Sequence, residues 1–350
     1  MNTPLITRLP PIVPFLRRRM LTALPTLFAV VTLTFLLARL APGGPFAAER
    51  ALPEAARANL EVRYGLDQPL AVQYLRFWGS VLTGRFGPSF QQPERSAAGV
   101  LLSGLPPSLL VGTAALLIAL LLGLGGGSLA ALSPRASPLL SLLALLALAV
   151  PVFVLAPLLV QVFALGLGWL PAGQWGGPTH LVLPALALGI PVGGALFRFW
   201  RALVVEQLES PACLAARSRG LAEWEVLTRH AAPRALPVLI NYFGPLAAGL
   251  VTGSVVVEQV FGLPGMGRFF IQGALARDYP VVIAATLLYA IALLVVHTLV
   301  DLAQLRLDPR LHKAHADWVG AERDRRRTLR KTARAEQSAR RDASTGEQKP

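Results

Sequence analysis

With 54% apolar and only 15% charged residues over 350 positions, and a mean hydropathy of +0.54, the chain is too apolar for a soluble domain, which carries roughly 25% charge. The net charge of +14 is concentrated in Arg17, Arg18 and Arg19 and in a tail that holds Arg325, Arg326 and Arg327. That segregation fits membrane flanks and leaves no groove-binding or base-stacking architecture for nucleic acid. The single Cys213 excludes an internal disulfide and a cysteine metal cluster.

No Asp, Glu, Lys or Arg occurs from Ser96 to Pro134 or from Ala136 to Phe197. Uncharged apolar runs of 18 or more residues are long enough to cross a bilayer. Six spans are drawn, at 20–40, 106–131, 139–167, 181–203, 237–259 and 281–302. They are helical because every backbone group in hydrocarbon must be satisfied internally. The apolar run after Arg19 is too long for the core of a signal peptide and is read as a retained first helix. Arg135 and the cluster Arg198, Arg201, Arg217, Arg219, Arg229 and Arg234 mark the cytoplasmic loops. The expected fold is therefore an all-α integral membrane protein of six transmembrane helices with both termini cytoplasmic.

The corresponding segments are a cytoplasmic stretch 1–19, the first helix 20–41, an outer loop 42–104, a transmembrane core 105–308 and a basic tail 309–350. In the outer loop, Pro53 to Arg63 predicts a helix ended by Gly65. Leu70, Tyr74, Phe77 and Val81 share one face of a second helix which, with Trp78 alongside, is expected to lie in the outer interface. Small-residue steps at Gly123/Gly127, Gly189/Gly193 and Gly249/Gly253 predict close helix contacts, and Pro151, Pro157, Pro184, Pro191 and Pro245 predict kinks. The tail has too few apolar residues to build a core, and its cations suit contact with anionic lipid.

The loop 205–236 carries the most information. Ser210 is placed to cap a helix that begins at Pro211, and Gly220 to end it in the left-handed region. Ala212, Ala215 and Ala216 make that helix thin, and a second helix is expected from Ala222 to His230. Segments this short are marginal unless they dock, either into a partner or along the membrane surface.

This loop resembles the coupling loop of binding-protein-dependent ABC importers, whose pattern is Glu-Ala-Ala, three residues, then Gly. Ala215, Ala216 and Gly220 stand at the matching positions, within Leu214-Ala215-Ala216-Arg217-Ser218-Arg219-Gly220-Leu221 and before Arg229-His230-Ala231. Leu214 departs from the pattern, as do Pro233 and Pro237. Ala41-Pro42-Gly43, Tyr64 to Leu70, Trp169-Leu170-Pro171, Val257 to Gly267, Ala276 to Pro280 and Leu307 to Arg310 are similar to the peptide-permease family. Pro45-Phe46, Phe86-Gly87-Pro88-Ser89-Phe90 and Phe261 to Gly265 look closest to its oligopeptide branch.

The resemblance implies an importer-type transmembrane domain in a prokaryotic inner membrane. It would work with a homologous second permease, two ABC ATPase subunits and an extracytoplasmic substrate-binding protein. Oligopeptide would be the cargo, with dipeptide, nickel chelate or glutathione-like cargo as alternatives. ATP and Mg would be bound by the ATPases and no cofactor by this chain, which lacks a G-x-x-x-x-G-K-[ST] phosphate loop and is not an enzyme. Ala212, Ala215, Ala216, Arg217, Arg219, Gly220, Leu221 and His230 would form the ATPase-coupling loop. Glu258, Gly262, Leu263, Pro264, Gly265, Arg277 and Asp278 would form the outer vestibule or gate.

Glu258, at the end of span five, serves either in gating or binding-protein contact, or as a structural partner of Arg268 or Arg277. Arg39 and Asp301 sit at span ends, where anchoring suffices. His312 and His315 lack a third ligand, so no metal site is expected. A secondary transporter or channel would leave the coupling loop unexplained. An intramembrane enzyme would need convergent catalytic groups that the spans lack.

Overall fold

The computed structural model describes residues 12–40, 62, 64–251 and 255–307. The helix expected at Pro53 to Arg63 apart from Val62, the Ala41-Pro42-Gly43 motif, Gly253 and the tail 309–350 lie outside the described residues. The chain divides into one unit of Val13–Val300 and a second of Met1–Ile12 with Asp301–Pro350. Of the second, the described part is Ile12 and the last turns of the final helix. The architecture below is that of Val13–Val300.

Helix α1 (Ile12–Leu40) contributes the first span and buries Val31 and Phe35. Helix α2 (Leu70–Leu82) turns its aromatic face onto α1. Trp78 stacks on Phe28 at 5.2 Å, Tyr74 meets Phe35 edge-on at 5.3 Å, and the Tyr74 hydroxyl lies 2.7 Å from Thr32 Oγ1. The aromatic part of that face thus packs on the first span in stacked and edge-on pairs.

Helix α3 (Ala97–Leu120) starts nine residues before the expected span, inside the segment assigned to the outer loop. Ser96 caps it by accepting the Gly99 N–H at 3.0 Å, and Pro106 and Pro107 sit inside it rather than opening it. A π-helical segment, Leu121–Gly126, then leads into α4 (Gly127–Leu132). The span expected at 139–167 is not one straight helix. Helix α5 (Ser137–Ala149) and α6 (Val152–Leu159, extended to Gly166 by a π segment) meet at 105°. Pro151 forces Val150 to an extended ψ of 118°, which ends the first piece.

Helix α7 (Val182–Leu208) is the centre of the bundle and packs on α3, α4, α5, α6 and the helix after the loop. Gly123 and Gly127, on the π segment and α4, press on α7, while Gly189 and Gly193 of α7 press on α3 and the π segment. A Cβ on Gly189 would lie 2.8 Å from the Ala115 carbonyl, and one on Gly127 would lie 3.1 Å from the Phe197 carbonyl. Packing therefore requires these glycines, as lipid-embedded interfaces do. After the loop helices α8 (Pro211–Ser218) and α9 (Glu223–Val226), α10 (Ala232–Val251), α11 (Val255–Val260), α12 (Met266–Leu275) and α13 (Tyr279–Leu307) complete the chain. Among the described residues, five helices are long and apolar enough to cross a membrane, or six when the bent α5–α6 pair counts as one span.

Candidate functional site

Among the described residues, three groups of polar contacts stand out. The first is the loop between α7 and α10. Ser210 has the extended dihedrals of a cap, yet its hydroxyl makes no capping bond. The end of α8 is a Schellman motif: the Leu221 N–H reaches the Ala216 carbonyl at 3.3 Å and the Gly220 N–H reaches Arg217 at 2.8 Å. Gly220 has a φ of +84°, with open space where a Cβ would go, so backbone geometry alone demands glycine.

The alanine face divides differently from expectation. Cys213 and Ala216 are fully buried against the molecule's own core, Ala212 is half-buried, and Ala215 and Leu214 face outward. At 100° per residue, positions 213 and 216 share one side of α8 while 214, 215 and 218 occupy the other. The second helix is not the separate segment from Ala222 to His230. Helix α9 passes through a π turn, Leu227–Ala231, directly into α10, so the loop is rigidly continuous with the next span.

Arg217 ties the loop together. Its Nε donates to Glu223 Oε1 at 2.7 Å, Nη2 to Oε2 at 3.0 Å, and Nη1 to the Leu208 carbonyl at 2.8 Å. The hydrogen bonds to Glu223 raise the Arg217 pKa above its ordinary value. Glu225 accepts the Ala222 N–H at 3.4 Å and pairs with Arg229 at 3.3 Å. Trp224 is 60% exposed and Leu214 52%, so the tip presents apolar surface around Arg219 and Gly220. Leu221 and His230 are half-buried behind it. Trp224 was missed as a candidate; a lone Trp between two Glu on a solvent loop was the signal.

The second constellation joins α3, α11 and α12. Gly262 has a φ of +64° and ends α11 in another Schellman motif, with the Leu263 N–H donating to the Glu258 carbonyl at 2.9 Å. The chain then turns through Pro264 and Gly265 into α12, whose first N–H groups face back toward the Glu258 carboxylate. Glu258 is 1% exposed. Its Oε2 accepts from Gly267 N at 2.7 Å and Arg268 N at 3.1 Å, and its Oε1 from Ser108 Oγ at 2.7 Å. Ser108 Oγ accepts the Met266 N–H at 2.9 Å. A buried carboxyl group is thus held at a helix N-terminus, where unpaired N–H groups find acceptors. The structural partner is the Arg268 backbone; its guanidinium goes to the Gly262 carbonyl at 2.9 Å. A Cβ on Gly265 would fall on the Glu258 carboxyl.

Asp278 belongs to a separate junction, 2% exposed. It binds the Ser89 hydroxyl, accepts the Gln91 N–H at 3.3 Å and caps α13 through the Val281 N–H at 3.4 Å. Arg277 occupies the left-handed position before it, with a φ of 55°. The outer segment around Ser89 is thereby fastened to the start of α13. Ser108 and Ser89 lie far from their carboxylate partners in sequence, and nothing local marked Ser108. The described residues contain no group of three or more His, Cys, Asp or Glu that could hold a metal.

The family model for binding-protein-dependent transport system inner membrane components matches residues 123–313. A model for the N-terminal part of binding-protein-dependent transport system membrane components matches residues 12–100. The chain is 40% identical over 301 residues to the oligopeptide transport system permease protein of Haemophilus influenzae, covering 85% of this chain and 98% of that protein. The Escherichia coli K12 oligopeptide permease protein is 38% identical with the same coverage. The dipeptide transport system permease protein of Bacillus subtilis is 40% identical over 294 residues, covering 82% of this chain and 95% of that one. Among solved structures, a chain of the inward-facing MetNI methionine ABC transporter aligns with a TM-score of 0.47 and 18% identity, over 62% of this chain and 96% of that one.

Proposed function

The chain belongs to the binding-protein-dependent transport system inner membrane components, and from that membership we propose how the loop and the Glu258 group work in transport. It is a transmembrane permease subunit of a peptide ABC importer and a multi-pass protein of the bacterial inner membrane. It works with an ATPase and a substrate-binding protein. The proposed topology has six spans, the α5–α6 pair forming one of them, with both termini cytoplasmic. A homologous second permease completes the pathway above two ATPases. Oligopeptide is the favoured cargo, with dipeptide as the alternative that the Bacillus subtilis relative supports. ATP and Mg bind to the ATPases, and this chain performs no chemistry of its own.

The observation that carries the coupling role is the three-way grip of Arg217 on Glu223 and on the end of α7. An ATPase pushing on Leu214, Ala215 and Trp224 moves a braced tip, and α7 carries that displacement into its seam with α3. Helix α3 holds Ser108, which meets Glu258 and the first turn of α12 in the outer gate. Packed seams of this kind switch between discrete arrangements. Gly220→Val tests the proposal: a β-branched residue in the left-handed region costs at least about 1–2 kcal/mol and displaces the tip. Peptide uptake by membrane-inserted Gly220→Val should fall well below wild type while the assembled complex still hydrolyses ATP. Full uptake by that variant refutes the coupling role.

A further inference from the structure

Between α5 and α7 the described residues leave an apolar cavity of about 480 Å³. Leu122, Leu143, Ala147, Leu155, Ile190 and Phe197 are among its walls. On Phe197 it adjoins a second, polar recess of about 370 Å³, also lined by Ser141, Leu145, Arg198 and Arg201. Phe197 lines both recesses, so the cations stand next to the apolar space. Along α7, Ile190, Gly194, Phe197 and Arg201 follow one helical stripe, so the cations stand at the end of the apolar groove.

Depth and charge both describe an occupant. The span that contains α7 runs from Pro178 to Leu208, 31 residues, whereas about 20 suffice to cross the hydrocarbon. With the outer boundary set at Pro178, about 20 residues end at Phe197, which would put the groove at acyl depth and the guanidiniums at the boundary. Arg135, in the turn before α5, adds a third cation at the same end. From Ser96 to Val205 the chain has no acidic residue, and the next ones on α7, Glu206 and Glu209, form no described ion pair with these arginines. Arg201 Nε is buried without an acceptor from the protein.

We propose that this groove binds one anionic phospholipid, an acyl chain lying along α5 and α7 and the phosphate held between Arg198 and Arg201. Guanidinium forks match phosphate oxygens, and basic recesses between spans at the membrane boundary suit anionic headgroups. Ser141 adds a hydroxyl at the same mouth. The occupied groove would brace α5 against α7, the helix that leads into the coupling loop.

The test uses the complete importer purified in detergent, with lipid retention counted by native mass spectrometry. The probes are dioleoyl phosphatidylglycerol, dioleoyl phosphatidylethanolamine with the same tails, and inorganic phosphate. Wild type should retain phosphatidylglycerol about tenfold or more over phosphatidylethanolamine. The double variant Arg198→Gln/Arg201→Gln should lose that preference. Ala147→Phe, which fills the groove and leaves both arginines, should lose retention as well, and it keeps the test open if the double variant fails to assemble. Equal retention by wild type and the variants overturns the proposal. So does displacement of the lipid by inorganic phosphate alone, which would mark a free-anion site. A photo-crosslink from position 143 to the second permease would also overturn it, since the groove would then be a subunit interface.

Discussion

Glu258 offers the sharpest separation between a buttress and a charge that acts. In Glu258→Ala, the Gly267 and Arg268 N–H groups lose their acceptor inside the bundle, while Ser108 can still turn to the Gly104 carbonyl at 3.1 Å. Each buried donor left unpaired costs about 1–3 kcal/mol. Relief of the carboxylate's own desolvation offsets part of this, so the net loss is about 2–4 kcal/mol. Glu258→Gln behaves differently because both backbone donors converge on the same oxygen, Oε2. A Gln carbonyl placed there keeps both bonds, and its amide can donate to Ser108 Oγ in place of Oε1. What disappears is the attraction of a charge for the α12 terminus, about 0.3–1 kcal/mol. Chemical denaturation in micelles, with hydrogen exchange at Gly267 and Arg268, should rank wild type and Gln close together and Ala well below. An Ala variant as stable as the Gln variant would refute the capping argument. Peptide uptake then divides the roles: retained uptake in the Gln variant makes Glu258 a buttress, and lost uptake at normal stability makes its charge part of gating.

Three further outcomes are expected. Asp278→Ala should speed hydrogen exchange at Gln91 and Val281 and expose the segment around Ser89 to limited proteolysis, with a stability loss of about 1–3 kcal/mol from unpaired buried donors. A double-mutant cycle of Arg217→Ala and Glu223→Ala should give a coupling energy no greater than about 1 kcal/mol, since the pair is solvent-accessible; ATP-driven uptake should nevertheless drop more than stability does. Gly104→Val should impair assembly, because a Cβ there would lie 2.8 Å from the Gly265 carbonyl carbon and the Met266 nitrogen, and neither backbone can yield. Normal yield and elution of the assembled Gly104→Val complex would contradict that packing.

Helix content, membrane residence and the position of the loop turns were legible before any contact was known, because they follow from local rules. Apolar runs longer than a bilayer must be helical there, and Gly220 and Gly262 sit where a left-handed turn must follow a helix. The small-residue steps Gly123/Gly127 and Gly189/Gly193 were visible too, since close approach requires the absence of a side chain. The break at Pro151 was half visible: proline announces a kink, but its 105° angle depends on what the two pieces pack against.

Other features were fixed only by tertiary structure. Ser108 meets Glu258 across 150 residues, and Ser89 meets Asp278 across 189. No local pattern selects those serines from the many others, because a hydrogen bond between distant segments depends on how helices cross. The same holds for Ala216, which a short alanine-rich helix could turn toward a partner or toward its own core. Burial of Cys213 beside it on the same side of α8 decided the matter. The sequence by itself determined that this chain spans a membrane and carries a loop that resembles the coupling loop of an importer. Only the folded bundle decided which carboxylates are sealed at helix starts and which face of the loop stays exposed. Solvent preference and backbone geometry are written residue by residue, whereas pairing of polar groups inside a bilayer is settled by the packing of whole helices.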